Sequence, residues 1–267
     1  MPEENDPCQE MPRILAKLAG RRPALFLDFD GTLAPIVPRA ADARALPQAV
    51  TAIGTLRQAG MPVVLVTGRA RADLVQRLAS SGLEPEGLLI AGSHGYEIEG
   101  SGIASPPVAN AETRARLAVA FEPLRQRLAH FQGTEIEGKA FAIAVHWRHA
   151  DPNDVPAIEA VIDALVREVP GLRKTHGKMV FELRPDVAWD KGAAVTWILA
   201  QWDDPLIMPI FIGDDVTDID GLDAVRVGGI GIAVGSAIPP GHAHYRLPDP
   251  EGVARFLGML GTFSVQT

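Results

Sequence analysis

The 267-residue chain has one cysteine, Cys8, so no internal disulfide can form and the fold must rest on a packed core. The thiol sits in a polar, proline-containing leader, residues 1 to about 10, which is expected to be disordered. A chain without disulfides suits a reducing compartment. No apolar run is long enough to cross a bilayer. Glu3, Glu4 and Asp6 stand where a secretory signal would carry positive charge, so a cytoplasmic location is expected. Basic residues are also in deficit. Lys and Arg number 25 against 33 Asp and Glu, a net charge of −8, which argues against nucleic-acid binding by bulk attraction. A small anionic ligand would need a local positive site instead. Internal repeats and low-complexity tracts are missing too. The protein is expected to work as a monomer, with neither nucleic acid nor membrane as partner.

What is present is organised around Phe26-Leu27-Asp28-Phe29-Asp30-Gly31-Thr32-Leu33. Ala24 to Phe29 is short and apolar except for Asp28, the mark of a buried strand. Unpaired charge is costly to desolvate, so two carboxylates at the end of such a strand require a use. Side-chain alternation starts Asp28 and Asp30 on one side, and Gly31 lets the backbone turn beside them.

Downstream, helical spacing runs over Pro47–Ala59 and Asp73–Leu78, and apolar strands over Pro62–Val66 and Leu88–Ala91. Short links between them imply right-handed crossovers and a parallel sheet. The texture then changes. Tyr96–Ile103 reads as a hairpin around Gly100, and Ala111–His130 and Val155–Val169 as helices. Thr134–Trp147 reads as two strands hinged near Gly138, and Leu172–Leu183 as two more around Gly177. The parallel pattern resumes with a helix over Lys191–Gln201, a strand over Leu206–Ile212, a helix over Thr217–Val225, a strand over Gly229–Val234 and a closing helix over Val253–Leu260. The fold class is therefore α/β: a doubly wound parallel-sheet core from residues 1–100 and 184–267, with an inserted α+β cap at 101–183.

Three further strings sit at strand–helix junctions. Thr67-Gly68-Arg69 offers a hydroxyl and backbone N–H groups, which suits either an anion site or a simple helix cap. Lys191 follows Asp190 at a helix start, where a cation is mildly unfavourable; it is either a solvated lysine or one with a task. Asp214, Asp215, Asp218 and Asp220 crowd within Gly213–Asp220 and repel one another unless a cation sits among them. Hard oxygen donors in a partial cage suit Mg²⁺.

Together these strings resemble the four motifs of the haloacid dehalogenase-like (HAD) phosphatases, in order. A narrower resemblance, across nearly the whole chain, is to the trehalose-6-phosphate phosphatases. It rests also on Gly92-Ser93-His94-Gly95-Tyr96-Glu97, Gly133-Thr134-Glu135-Ile136-Glu137-Gly138-Lys139, Ala144-Val145-His146-Trp147-Arg148 and Gly177-Lys178-Met179-Val180-Phe181-Glu182-Leu183-Arg184-Pro185. The resemblance implies a Mg²⁺-dependent hydrolysis of trehalose 6-phosphate. It makes Asp28 the nucleophile and Asp30 the acid/base, with Thr67 and Lys191 at the phosphoryl group. It places the metal on Asp28, Asp30 and Asp214, and substrate contacts on Gly68, Arg69, His94, Glu137, Lys139, Arg148, Lys178 and Glu182. One departure is visible: Ile219 replaces an acid the family commonly carries at the metal-site edge. Rival readings are another HAD sugar phosphatase, a receiver-type phosphoacceptor domain, and an inactive phosphosugar-binding regulator. A receiver needs neither the insert nor a second aspartate two residues after the first.

Overall fold

The computed structural model describes residues 5–100, 102–103, 105–177 and 179–264. It divides into two compact units, one made of Met1–Ser105 with Trp189–Thr267 and the other of Pro106–Ala188. The second unit closes after its last strand, which runs to Pro185.

The first unit is a seven-stranded sheet flanked by helices. Its strands are β1 (Arg22–Leu27), β2 (Val63–Val66), β3 (Leu89–Gly92), β4 (Glu97–Glu99), β9 (Ile207–Gly213), β10 (Ile230–Val234) and β11 (Tyr245–Leu247), in the spatial order β11-β10-β9-β1-β2-β3-β4. All pairs are parallel except β3 with β4. The central strands are buried end to end, as continuous apolar runs in a two-sided parallel sheet should be. Helices α1 (Met11–Leu18), α2 (Pro47–Gln58), α3 (Arg71–Ser80), α6 (Lys191–Trp202), α7 (Ile219–Ala224) and α8 (Pro250–Ser264) complete the unit. Ile14, Ile53, Leu56, Leu74, Phe256 and Leu257 from these helices join Leu25, Leu27 and Ile212 in one core.

From β1 the chain winds outward through β2 and β3 on one side, and returns through β9 and β10 on the other. The reversal of strand order therefore falls at β1 and β9. In open α/β sheets, the crevice beyond the carboxyl ends of the strands at such a switch point is where ligands bind.

The second unit is a four-stranded antiparallel sheet, β5 (Glu135–Gly138), β6 (Ile143–His146), β8 (Val180–Pro185) and β7 (Leu172–Gly177), in that spatial order. Helices α4 (Ala111–Leu128) and α5 (Val155–Glu168) pack on one face, where Leu117, Leu124, Ile158, Ile162, Ile143, Val145, Phe181 and Leu183 form a separate core. Register places Glu137 opposite Ala144 and Ala144 opposite Glu182, so this row lies on the other face.

Three local expectations change. The stretch 5–10 is ordered: Arg246 N donates to Asn5 O (3.1 Å), and Cys8 packs against the core. Residues 1–4 lie outside the described residues. The hairpin around Gly100 is replaced by one in which β4 turns back on β3 through Ser93–Gly95, while Gly100 only bridges Ile103. Strand β11, too short and polar for an apolar-run reading, is added at the sheet edge.

Candidate active site

Asp28 follows the last residue of β1, and its N–H continues the ladder to Ile212 O at 3.0 Å. Pairing with β9 thus carries Asp28 toward the Gly213-Asp214 turn. Gly31 permits the approach: its φ is +80°, and a Cβ there would lie 2.0 Å from Asp214 Oδ2. Thr32 Oγ1 donates to Asp214 Oδ1 at 3.4 Å.

Lys191 opens α6, and Asp190 caps the helix by accepting from Ala193 N at 2.7 Å. Its side chain is not solvated. It is 2% exposed and reaches Asp28 Oδ1 (2.7 Å) and Asp218 Oδ1 (2.6 Å). Asp218, fully buried, uses its other oxygen to accept from Asp214 N (3.1 Å) and Asp215 N (3.0 Å). Asp218 therefore fixes the acidic turn internally and orients the lysine.

Ligand oxygens of Asp28, Asp214 and Asp218 all lie within 4.8 Å of one another. Burial pushes the Asp28 carboxyl well up despite Lys191, and Asp218 and Asp214 add repulsion. Asp214 is pushed up to about 7, by burial first and then by Asp218. Burial works against the charge of Lys191, but Asp218 and Asp28 outweigh it and hold the lysine protonated. Three carboxylates thus face one ammonium. The donor set is all hard oxygen with a surplus of negative charge, which fits a divalent cation.

Thr67 follows β2, is buried, and accepts from Arg69 N at 3.2 Å through Oγ1. Helix α3 begins only at Arg71 with Ala70 as its N-cap, so Thr67 is not a helix cap. The loop after β3 braces this turn: His94 N donates to Thr67 O (2.8 Å) and Ser93 N to Arg69 O (2.7 Å). Ser93 and His94 both hold left-handed φ, 50° and 56°. Strain of that kind in non-glycine residues gathers at functional sites. The His94 ring lies over Gly68, where a Cβ would meet Nε2 at 2.7 Å.

The carboxylate of Asp30 is not brought into the acidic group. Arg69 holds it through Nε (2.5 Å) and Nη2 (2.7 Å). Asp73, four residues on in the first turn of α3, takes Nη1 at 2.5 Å. Burial opposes the charge on Arg69, but Asp30 and Asp73 more than compensate and raise its basicity.

In the second unit Lys139 Nζ meets Glu182 Oε1 at 3.0 Å, and Arg184 Nε meets Glu182 Oε2 at 2.9 Å. Burial would raise the Glu182 carboxyl, yet Arg184 and Lys139 bring it below the usual range. Glu137 pairs with His146 Nε2 at 3.1 Å. Arg148 is exposed in the turn after β6. Lys178 lies outside the described residues.

Sequence reasoning undervalued Asp218, Asp73 and Arg184. Each has a local signal in hindsight: Asp218 stands four residues from Asp214, Asp73 four from Arg69, and Arg184 two from Glu182 on one strand face.

The chain has known relatives. Over 264 residues the chain is 39% identical to an uncharacterized glycosyl hydrolase of Mycobacterium tuberculosis, covering 96% of this chain and 19% of that protein. It is 39% identical over 251 residues to the trehalose-phosphate phosphatase of Mycobacterium ulcerans, covering 90% of this chain and 62% of the relative. The chain thus spans only part of the curated relatives it matches. A crystal structure of a trehalose-6-phosphate phosphatase related protein superposes with a TM-score of 0.75 at 24% identity, covering 91% of this chain and 99% of the other, which shows the shared fold. The family model described as trehalose-phosphatase matches residues 26–251, a span that begins in β1 just before Asp28 and takes in Thr67, the whole insert, Lys191 and the acidic turn. The chain belongs to the trehalose-phosphatase family.

Proposed function

We propose that the protein is a phosphomonoesterase that hydrolyses trehalose 6-phosphate to trehalose and phosphate through an aspartyl-phosphate. The observation that carries this reading is the buried Asp28 carboxylate, fixed by Lys191 at the switch point beside Asp214. The family supports the substrate, and the polar row on the insert's sheet supports a hydroxyl-rich one.

Asp28 attacks phosphorus, and the bond from phosphorus to the sugar oxygen breaks. Asp30 gives that oxygen a proton, then takes one from the water that attacks the phosphoaspartate and releases phosphate. Lys191, the Thr67 hydroxyl and the Gly68 N–H neutralise charge spread over the phosphoryl oxygens. Asp28 and Asp214 would hold a Mg²⁺ ion, with Asp218 behind them because its oxygens are taken by Lys191 and the turn. Bound there, the ion supplies Lewis-acid neutralisation of phosphoryl charge. Glu137, Lys139, Arg148, Lys178 and Glu182 are assigned to the sugar hydroxyls. His94 braces the phosphate-binding turn and is assigned to the substrate's edge.

Phosphate release from a panel of sugar phosphates, with Mg²⁺ and with excess chelator, tests the reading. Trehalose 6-phosphate should be turned over fastest, and chelator should stop the reaction reversibly. Equal turnover of unrelated sugar phosphates would remove the trehalose assignment, and full activity in chelator would remove the metal.

A further inference from the structure

Arg69 belongs to a string whose resemblance marks it as a substrate contact, but its surroundings describe a different task. The guanidinium is a fork of five donors, and four of the directions it offers are engaged within the protein. Nε and Nη2 go to the two oxygens of Asp30, Nη1 goes to Asp73, and Nη2 also reaches Ala40 O at 2.9 Å. The fork lies over the Phe29 ring, 5.6 Å from its centroid. Its side chain is 10% exposed, against 34% for Asp30 and 40% for Asp73. The buried member of the cluster is therefore the arginine, and both aspartates are more open than it. A guanidinium so placed can rotate very little, and a bidentate pair fixes the plane of the carboxylate it holds.

We propose that Arg69 is a positioning residue: with Asp73 as its anchor, it sets the direction in which Asp30 presents its carboxylate for proton transfer. The proposal rests on the phosphatase reading. It also ties the motif that follows β2 to the one that follows β1, because the turn that carries Thr67 carries the clamp for Asp30.

The test is a double-mutant cycle on the full chain with Mg²⁺, using Asp30→Asn, Arg69→Met and the double variant, with trehalose 6-phosphate and p-nitrophenyl phosphate as substrates. Misplacing a catalytic group by about an ångström costs on the order of a hundredfold. Arg69→Met should accordingly lower kcat by roughly ten- to a hundredfold with little change in KM, and should add no further loss in the Asp30→Asn background. Arg69→Lys keeps the charge without the fork and should rescue little. Asp73→Asn, which leaves Asp30 and Arg69 in place, should lower kcat in the same direction by less, and it carries the test if Arg69→Met does not fold. A raised KM at unchanged kcat, additive losses in the double variant, or full activity of Arg69→Lys would each overturn the positioning role. Inactivity of the wild-type chain on both substrates would instead overturn the phosphatase reading, and the proposal with it.

Discussion

Two clusters, one in each unit of the molecule, join acids and cations with opposite balances. In the first unit Lys191 meets Asp28 and Asp218, with Asp214 close by, in a setting where Asp28 and Lys191 are 5% and 2% exposed. In the insert Glu182 alone is met by Lys139 and Arg184, and the pairs lie partly open to water. The first balance leaves negative charge unmatched where desolvation makes it costly, and added positive charge would complete the site. The second is already neutral or slightly cationic. It suits a partner that brings hydroxyls and no charge.

The largest effect should come from disturbing the buried set at its reacting member. Asp28→Asn keeps the shape and the hydrogen bond from Lys191, but an amide is a poor nucleophile. Turnover of every substrate should vanish while the thermal transition stays sharp. Substantial phosphate release by the purified variant would remove the covalent mechanism and, with it, the idea that the unmatched acids of this site exist for chemistry.

Next in size is the removal of the shared cation. Lys191→Met leaves two buried carboxylates without their partner, and breaking a buried pair from one side typically costs about 3–5 kcal/mol. Urea unfolding should show a loss of that order along with loss of activity. A variant as stable as wild type would mean the lysine is far less desolvated than its contacts imply.

How much of this was readable in the chain depends on how local each feature is. Asp28, Asp30, Thr67, Lys191 and Asp214 sit next to apolar runs or helix starts, so short strings marked them before any fold was known. Asp28 and Asp214 meet because parallel strands place their carboxyl ends together, and Lys191 reaches Asp28 from the start of α6. The clamp on Asp30 was not readable, because Arg69 lies 39 positions away and its choice of partner is a matter of side-chain direction. The polar row of the insert depends on register: one residue of slip in β8 would send Glu182 to the apolar face. The ordering of residues 5–10 depends on a short edge strand, β11, whose own sequence carries little β signal.

A smaller effect, and one that acts on the buried set alone, is that of metal on stability. A ligand that binds only the folded state stabilises it by about 2.7 kcal/mol at a hundred times its dissociation constant. Mg²⁺ should raise the melting temperature of wild type, and much less that of Asp214→Asn. Equal shifts in the two proteins would place the cation elsewhere.

The smallest effect should belong to the insert, and it is the one that separates recognition from chemistry. Arg148→Ala removes an exposed side chain, and Glu182→Gln weakens the acceptor shared by Lys139 and Arg184. Neither touches Asp28, Asp30, Lys191 or Asp214. Loss of one charge-assisted hydrogen bond to a sugar hydroxyl should cost roughly 1.5–3 kcal/mol, or about ten- to a hundredfold in kcat/KM for trehalose 6-phosphate. p-Nitrophenyl phosphate lacks those hydroxyls and should be hydrolysed nearly as before. Glu182→Gln carries a further signature. The Glu182 carboxyl is held below its usual range, so its ionised form favours the folded state above the ordinary carboxylate range and that contribution fades as pH falls through the lowered value. The variant should therefore lose stability relative to wild type at neutral pH, and the gap should narrow in acid. A gap that is constant with pH would assign Glu182 to packing, and equal losses on the two substrates would take sugar reading away from the insert altogether.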